Sequence, residues 1–192
     1  MDLYFGADRA AAWTLWIRRL TCGQVAILPT DTIYGLSANA WDARAVRRIG
    51  EFKRRRRSST VIPHSTEWAR SLVHPRARAL FDRMWARCSH ETLLLPFGPD
   101  RGVARPAREL TQSGLIGLRL PRHWIGRLVR DAGVPLVSTS VNLSGQPHMQ
   151  TLDDLPRGWK RRLDFTVFEG PLTGRPSAIH FYESGRLTRQ ER

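Results

Sequence analysis

Residues 26–36 read Ala26-Ile27-Leu28-Pro29-Thr30-Asp31-Thr32-Ile33-Tyr34-Gly35-Leu36. With Val25 in front, the first three form a continuous apolar run, the pattern of a buried strand. Pro29 has no N–H to donate and stops the ladder. Three small polar residues follow, then an aromatic, Tyr34, and a turn glycine, Gly35. Hydroxyls and a carboxylate at the carboxyl end of a buried strand are where open α/β sheets hold ligands. A plain polar strand-to-helix turn, with Asp31 or Thr32 capping the backbone, fits the same residues.

Outward from this stretch, the chain has the length of one domain, residues 1–192, with a sizeable core. No apolar run approaches the length of a membrane span, and the N-terminus lacks the basic-then-apolar pattern of a signal peptide. The two cysteines, Cys22 and Cys88, have no CxxC or Cys/His ligand spacing, so a reducing cytoplasm is the simplest setting. The net charge is +14, which draws polyanions: tRNA, rRNA or the phosphates of a nucleotide. Lys53 and Lys160 are the only lysines among 31 cationic residues. An ammonium is a compact point charge where arginine is a planar fork, which singles out Lys53 for chemistry.

Elements alternate along the chain. A helix is expected over 9–21, capped by Asp8, with Ala12, Trp13, Trp16, Ile17 and Leu20 on its core face and Gly23 at its end. Asp42 caps a second helix over 43–52, buried through Ala45, Val46, Ile49 and Phe52. The run Lys53-Arg54-Arg55-Arg56-Arg57 repels itself and reads either as a solvated or RNA-binding stretch or as a clamp on a triphosphate. A strand at 60–63 ends at His64, and Ser65 caps a helix over 66–73. A helix over 76–87 has Ala79, Leu80, Met84 and Trp85 as core candidates. Strands follow at 92–96 and 115–120, the second carrying Arg119, which needs a carboxylate or a ligand as partner if buried. After a helix over 124–132, a strand from Pro135 runs into Ser138-Thr139-Ser140-Val141-Asn142-Leu143-Ser144-Gly145. Hydroxyls, an amide and turn N–H groups there suit phosphate oxygens. Trp159 to Arg162 reads as an exposed basic turn, 165–168 as a strand, and 177–188 as a closing hairpin. The pattern is α/β in one domain, with no internal repeat.

There is no GxxxxGK[ST] loop, no GxGxxG, no HExxH and no nucleophile elbow, and the six histidines lack metal-ligand spacing, so no protein ligands to a metal are identifiable. What remains is Thr30 and Thr32, Lys53 and Arg55, Arg119, and Ser140 with Asn142, each near the end of an apolar segment. Cations with hydroxyl and amide donors make a nucleotide-phosphate site that acts by positioning and charge neutralisation.

These residues resemble the YrdC-like family of threonylcarbamoyl-AMP synthases. Residues 29–36 look like its opening signature, Lys53-Arg54-Arg55 its Lys-x-Arg, 116–121 its arginine strand, 138–145 its Ser/Asn motif, and 176–179 its closing strand. The resemblance implies a twisted mixed sheet flanked by helices, with a basic concave cleft. It implies that L-threonine, bicarbonate or CO2, and ATP (with Mg²⁺) give threonylcarbamoyl-AMP and pyrophosphate. Partner proteins would then transfer the group to tRNA. Carried over residue by residue, Lys53, Arg55, Ser140 and Asn142 would be catalytic; Thr30, Thr32, Tyr34, His64 and Arg119 would hold L-threonine; and Thr92 and Ser177 would join the first four on ATP.

Two departures stand out. Where relatives carry Trp-Pro-Gly-Pro before the strand at 92, this chain has Arg87-Cys88-Ser89-His90-Glu91. Glu91 would place an anion near the phosphate cleft, unfavourable unless an arginine pairs with it. The proline after Lys-x-Arg is Arg56 and a downstream Lys or Asn position is Ser59. An alternative is therefore a non-catalytic or altered paralogue that binds tRNA or double-stranded RNA.

Overall fold

The computed structural model describes residues 1–53, 59–111, 113–183 and 185–191. Ten strands form one mixed sheet: β1 (Asp2–Phe5), β2 (Ala26–Leu28), β3 (Gly35–Asn39), β4 (Thr60–Ile62), β5 (Thr92–Pro96), β6 (Leu115–Leu118), β7 (Leu136–Ser140), β8 (Phe165–Phe168), β9 (Ile179–Glu183) and β10 (Arg186–Gln190). Their order is β1-β8-β2-β3-β7-β4-β6-β5-β9-β10. The helices are α1 (Arg9–Thr21), α2 (Ala43–Lys53), α3 (Thr66–Leu72), α4 (Arg78–Cys88) and α5 (Ile125–Ala132). No helix among the described residues is long and apolar enough to cross a membrane.

The stretch quoted first is a hairpin, not a strand-to-helix turn. β2 and β3 pair antiparallel, Leu28 opposite Gly35, and Pro29 to Tyr34 make the connection. β3 continues antiparallel against β7, with Gly35 opposite Ser140 and Ser37 opposite Ser138. A strand of Gly, Leu, Ser, Ala and Asn carries little apolar signal, yet all five residues are buried because β2 and β7 flank them.

Strand alternation sorts the core into two faces. On one face Ala26, Leu28, Ile62, Leu136 and Phe165 pack with Trp16, Leu20, Leu128 and Val129 of α1 and α5. On the other, Ile27, Leu36, Val61, Leu93 and Val137 pack with Ile49, Phe52, Leu72, Phe81 and Trp85 of α2, α3 and α4. α2 buries Ala45, Val46, Ile49 and Phe52 as its periodicity predicts, and Asp42 Oδ1 accepts from the Arg44 and Ala45 N–H groups at 2.8 and 3.2 Å. Ser65 Oγ caps α3 by accepting from Trp68 N at 3.0 Å.

Other expectations are corrected. Asp8 precedes α1 but its carboxylate accepts from Phe5 N at 2.7 Å, so it closes the turn after β1 and does not cap the helix. α4 is buried through Phe81 and Trp85, one turn beyond Ala77; Ala79 is exposed and Leu80 only half-buried, so the face is set by the 77/81/85 spacing. Trp159 is buried, its ring 4.8 Å from that of Phe52, while its neighbours Lys160 and Arg161 reach solvent. β6 ends at Leu118, placing Arg119 one residue past the strand.

Candidate active site

The strands that lie beneath α1 and α5 at one end emerge at the other into an open pocket on the same face. Leu136 and Ile62 are covered by the helices, whereas Ser138, Ser140 and Thr60, further along the same alternation, line the pocket. Gly35 forms part of its floor, and a Cβ there would lie 2.3 Å from Ser138 Oγ. Hydroxyls run across the sheet: Ser37 donates to Ser138 at 3.1 Å, Thr60 and Thr92 lie 3.4 Å apart, and Thr92 and Ser177 lie 3.3 Å apart.

At one end of this strip stands Lys53, the last residue of α2. Its ammonium donates to Ser140 O at 2.7 Å, to Asn142 O at 2.8 Å and to Asn142 Oδ1 at 2.5 Å, with Ser140 Oγ at 3.5 Å. Ser140 Oγ in turn donates to Asn142 Oδ1 at 2.8 Å. Lys53 thus meets Ser140 and Asn142, which lie 87 and 89 positions away in sequence. Arg55 falls outside the described residues.

At the other end stands Arg119, buried at 8% exposure. Its Nη2 donates to Asp31 Oδ1 at 2.6 Å and to Thr32 Oγ1 at 3.1 Å, and its Nε to His90 O at 2.6 Å. Asp31 Oδ2 also accepts from Arg122 N at 2.8 Å. Arg119 has the carboxylate partner that a buried guanidinium requires. Thr30 Oγ1 donates to Ile33 O at 2.7 Å and accepts from Thr32 N and Ile33 N, which folds the turn and presents Thr32.

Tyr34 lines the pocket, but its phenol is engaged elsewhere: it donates to Gly170 O at 2.6 Å, accepts from Glu169 N at 3.0 Å and stacks on Phe168. Burial raises its pKa, keeping the hydroxyl neutral. It anchors the 170–177 segment, which crosses so close to the Thr30–Thr32 turn that a Cβ on Gly174 would lie 2.3 Å from Thr32 O. Pro176 and Ser177 at the end of this segment line the pocket. Thr92 lies beneath Thr60 and Ser177 and is buried.

Lys53, Thr92 and Asn142 are not among the residues lining this pocket but bond to Ser140, Thr60 and Ser177, which are; His64 is not among them either. Its ring is caged between Trp41 and Trp68, centroids 5.3 and 5.0 Å away, and burial lowers its pKa, leaving a neutral imidazole. Sequence reading missed Asp31 as the partner of Arg119, and Thr60 and Ser138 as pocket residues. For Ser138 the signal was present: residues two apart on a strand share a face, so Ser138 accompanies Ser140.

The wall before β5 is held by charge. Glu91 Oε2 lies 2.5 Å from His180 Nε2, and its two oxygens accept from Arg189 Nε and Nη2 at 3.2 and 2.9 Å. The Arg189 bonds first, then that from His180, pull the Glu91 carboxyl down to about 2. His180 lies opposite Leu93, so it occupies the face away from Thr92 and the pocket. Cys88, Glu91 and His180 bring three ligand-type atoms within 4.8 Å of one another there, but Glu91 is already engaged by Arg189.

Comparison with known proteins places the chain in a family. The Sua5/YciO/YrdC family model, described as telomere recombination, matches residues 18–190. The threonylcarbamoyl-AMP synthase of Bacillus subtilis is 32% identical over 154 residues, 77% of this chain and 43% of that protein, so this chain spans less than half of that relative. The threonylcarbamoyl-AMP synthase of Chromobacterium violaceum is 33% identical over 180 residues, 90% of this chain and 89% of that protein. Sua5 of P. abyssi, solved in complex with L-threonine, shares the fold at a TM-score of 0.75 and 24% identity, over 93% of this chain and 53% of that one.

Proposed function

The chain belongs to the Sua5/YciO/YrdC family, and from that membership we propose that it is a nucleotidyltransferase that makes threonylcarbamoyl-AMP. Its substrates are L-threonine, bicarbonate or CO2, and ATP; pyrophosphate is the second product. The observation that carries this reading is a hydroxyl-lined strip with a caged ammonium at one end and a paired guanidinium at the other.

The two ends divide the work. Arg119 and Thr32, set by Asp31 and the Thr30 turn, receive the amino acid. Lys53, Ser140 and Asn142 receive the triphosphate, with Ser177 and Thr92 on the nucleotide side. Arg55 joins Lys53 in holding two anions that must approach each other. A carboxylate oxygen of N-carboxythreonine attacks the α-phosphorus, forming a new P–O bond as the bond to the bridging oxygen breaks and pyrophosphate departs. The Lys53 charge offsets the negative charge that gathers on the transferring phosphorus and the leaving group.

Among the described residues no carboxylate lines the pocket. A magnesium ion would therefore arrive on the ATP phosphates, where the hydroxyls that line the pocket, Ser140 among them, would be the side-chain oxygens nearest to it. Such an ion neutralises phosphate charge during the displacement. The product is destined for tRNA through transfer proteins, and the basic surface offers tRNA a contact. Glu91 is turned to Arg189 and His180, away from the phosphate end, which favours the catalytic reading over a disabled RNA-binding paralogue.

The test is pyrophosphate release from ATP and Mg²⁺, with and without L-threonine and bicarbonate. Wild type is expected to require both, and Lys53→Ala to fall about 10²-fold or more while remaining folded. Release indifferent to threonine overturns the reading.

A further inference from the structure

A second concavity of about 550 Å³ lies between α1 and α5, lined by Arg9, Ala10, Trp13, Thr14, Trp124 and Arg127. That volume falls within the range of about 300–1,000 Å³ typical of ligand sites. Trp13, which α1 periodicity assigns to the core, is only partly buried, and so is Trp124. Their ring centroids lie 5.9 Å apart at 58°, and Trp124 is backed by the fully buried Trp16, stacked at 5.7 Å. Both indole N–H groups are turned to carboxylates: Trp13 Nε1 donates to Asp131 at 3.0 Å, Trp124 Nε1 to Glu169 at 2.7 Å. The rings are thereby held in place, and both line the groove.

A guanidinium lies over each ring, so an incoming base meets ring and guanidinium together. Arg9 Cζ lies 5.9 Å from the Trp124 ring and Arg127 Cζ 5.8 Å from the Trp13 ring. Their ion pairs are long, 4.0 Å to Glu169 and 3.5 Å to Asp131, and their side chains are 48% and 73% exposed. Glu169 and Asp131 balance those two charges locally, so the pull on an aromatic, anionic occupant rests on the exposure of the guanidiniums and on the charge of the whole chain. The chain's net charge of +14 selects a polyanion over a peptide. An indole face accepts an unpaired base, whereas the bases of a duplex are stacked on one another.

We propose that the α1–α5 groove binds unpaired RNA, a base lying on the Trp13–Trp124 pair and its flanking phosphates on Arg9 and Arg127. The groove borders the active site. Glu169, which holds Trp124, donates its backbone N–H to the Tyr34 hydroxyl, and Arg122, two residues before Trp124, donates its N–H to Asp31. RNA seated there would lie beside the pocket where the activated threonyl group forms. The inference rests on the reading that this product goes to tRNA. Pyrophosphate release needs no RNA, so the two readings fail separately.

The experiment is fluorescence anisotropy with a short labelled single-stranded RNA, the same sequence as a duplex, and an acidic peptide. Four proteins are compared: wild type, Arg9→Gln/Arg127→Gln, Trp13→Leu, and Arg83→Gln/Arg87→Gln. The last removes equal charge from α4 on the opposite face of the sheet. Single strand is expected to bind more tightly than duplex or peptide. The groove arginine pair should weaken it about tenfold and lower the salt slope by about two. Trp13→Leu should weaken it with little change in slope. The α4 pair should match wild type in binding, and pyrophosphate release should be unchanged in the groove variants. Equal losses for the two arginine pairs, duplex bound as tightly as single strand, or preference for the peptide each overturn the proposal. The arginine comparison decides the matter even if Trp13→Leu fails to fold.

Discussion

Removing the Asp31 carboxylate tests how the pocket is held together. Arg119 is 9% exposed at its side chain and Asp31 16%, and their charges meet at 2.6 Å. Truncating one member of a buried pair costs about 3–5 kcal/mol, because the other charge is left in a poor solvent. Here Arg119 keeps His90 O at 2.6 Å and Thr32 Oγ1 at 3.1 Å. Those contacts lower the expectation for Asp31→Ala to about 2–3 kcal/mol. Asp31→Asn keeps an acceptor of the same shape and loses only the charge, about 1–2 kcal/mol. Urea unfolding followed by tryptophan fluorescence measures both. The effect on turnover should be one-sided. Arg119 and Thr32 loosen together, so KM for L-threonine rises several-fold. KM for ATP stays near wild type, because the Lys53–Ser140–Asn142 cluster is not touched. An Asp31→Ala protein within about 0.5 kcal/mol of wild type would refute the claim that this pair fixes the pocket.

Gly35→Ala sets a Cβ 2.3 Å from Ser138 Oγ and should cost about 1–3 kcal/mol. Adding Ser138→Ala should recover most of it, and additive losses in the double variant would count against a direct clash. Tyr34→Phe strands Gly170 O and Glu169 N, for about 1–3 kcal/mol on denaturation, and should loosen the 170–177 segment in hydrogen exchange. Glu91 titrates at about 2 against an ordinary 4.5, so its contribution is present above about pH 4.5 and is lost as pH falls toward 2. That shift corresponds to an upper limit of about 3 kcal/mol, and the half-exposed Arg189 reduces it to about 1 kcal/mol. Glu91→Gln should flatten the acid limb of the stability curve; an unchanged limb would locate the acid sensitivity elsewhere.

The parts of the molecule legible in sequence are those whose signal is local. The α2 face at 45, 46, 49 and 52 is written in helical spacing, and Asp42 and Ser65 cap as their positions suggest. Lys53 stands out because nearly every other cation is arginine, and the structure brings it to Ser140 and Asn142. What stayed hidden depends on distant neighbours. β1 is a four-residue edge strand whose side chains are mostly exposed, so it has no alternation to read. β3 is buried by position rather than by composition. Trp159 sits among basic residues, and its place in the core shows only in contacts such as that with Phe52, more than 100 positions away. His64 has the right place in sequence for the amino-acid pocket. Trp68, which packs on it, is only four positions ahead, but Trp41 comes from the turn before α2, and no local pattern foretells that second contact.

The altered wall at 87–91 bears most directly on activity. Proline and glycine rigidify a wall through restricted backbone torsions. Here the same segment reaches the site through its backbone carbonyls: His90 O accepts from Arg119 Nε and Ser89 O from Leu120 N, both at 2.6 Å. Any looseness in 88–91 would pass straight to Arg119. What holds the segment is Glu91, tied to His180 on β9 and Arg189 on β10. The constraint has moved from backbone torsion to an ion-paired side chain on the far face of the sheet. A wall held this way keeps its geometry at neutral pH and moderate salt and loses it when Glu91 is protonated. Between about pH 4.5 and 2, KM for L-threonine should therefore rise before the global fold is lost, and Glu91→Gln should show the raised KM already at pH 7. A Glu91→Gln enzyme with wild-type KM at neutral pH would show that Glu91 does not position Arg119.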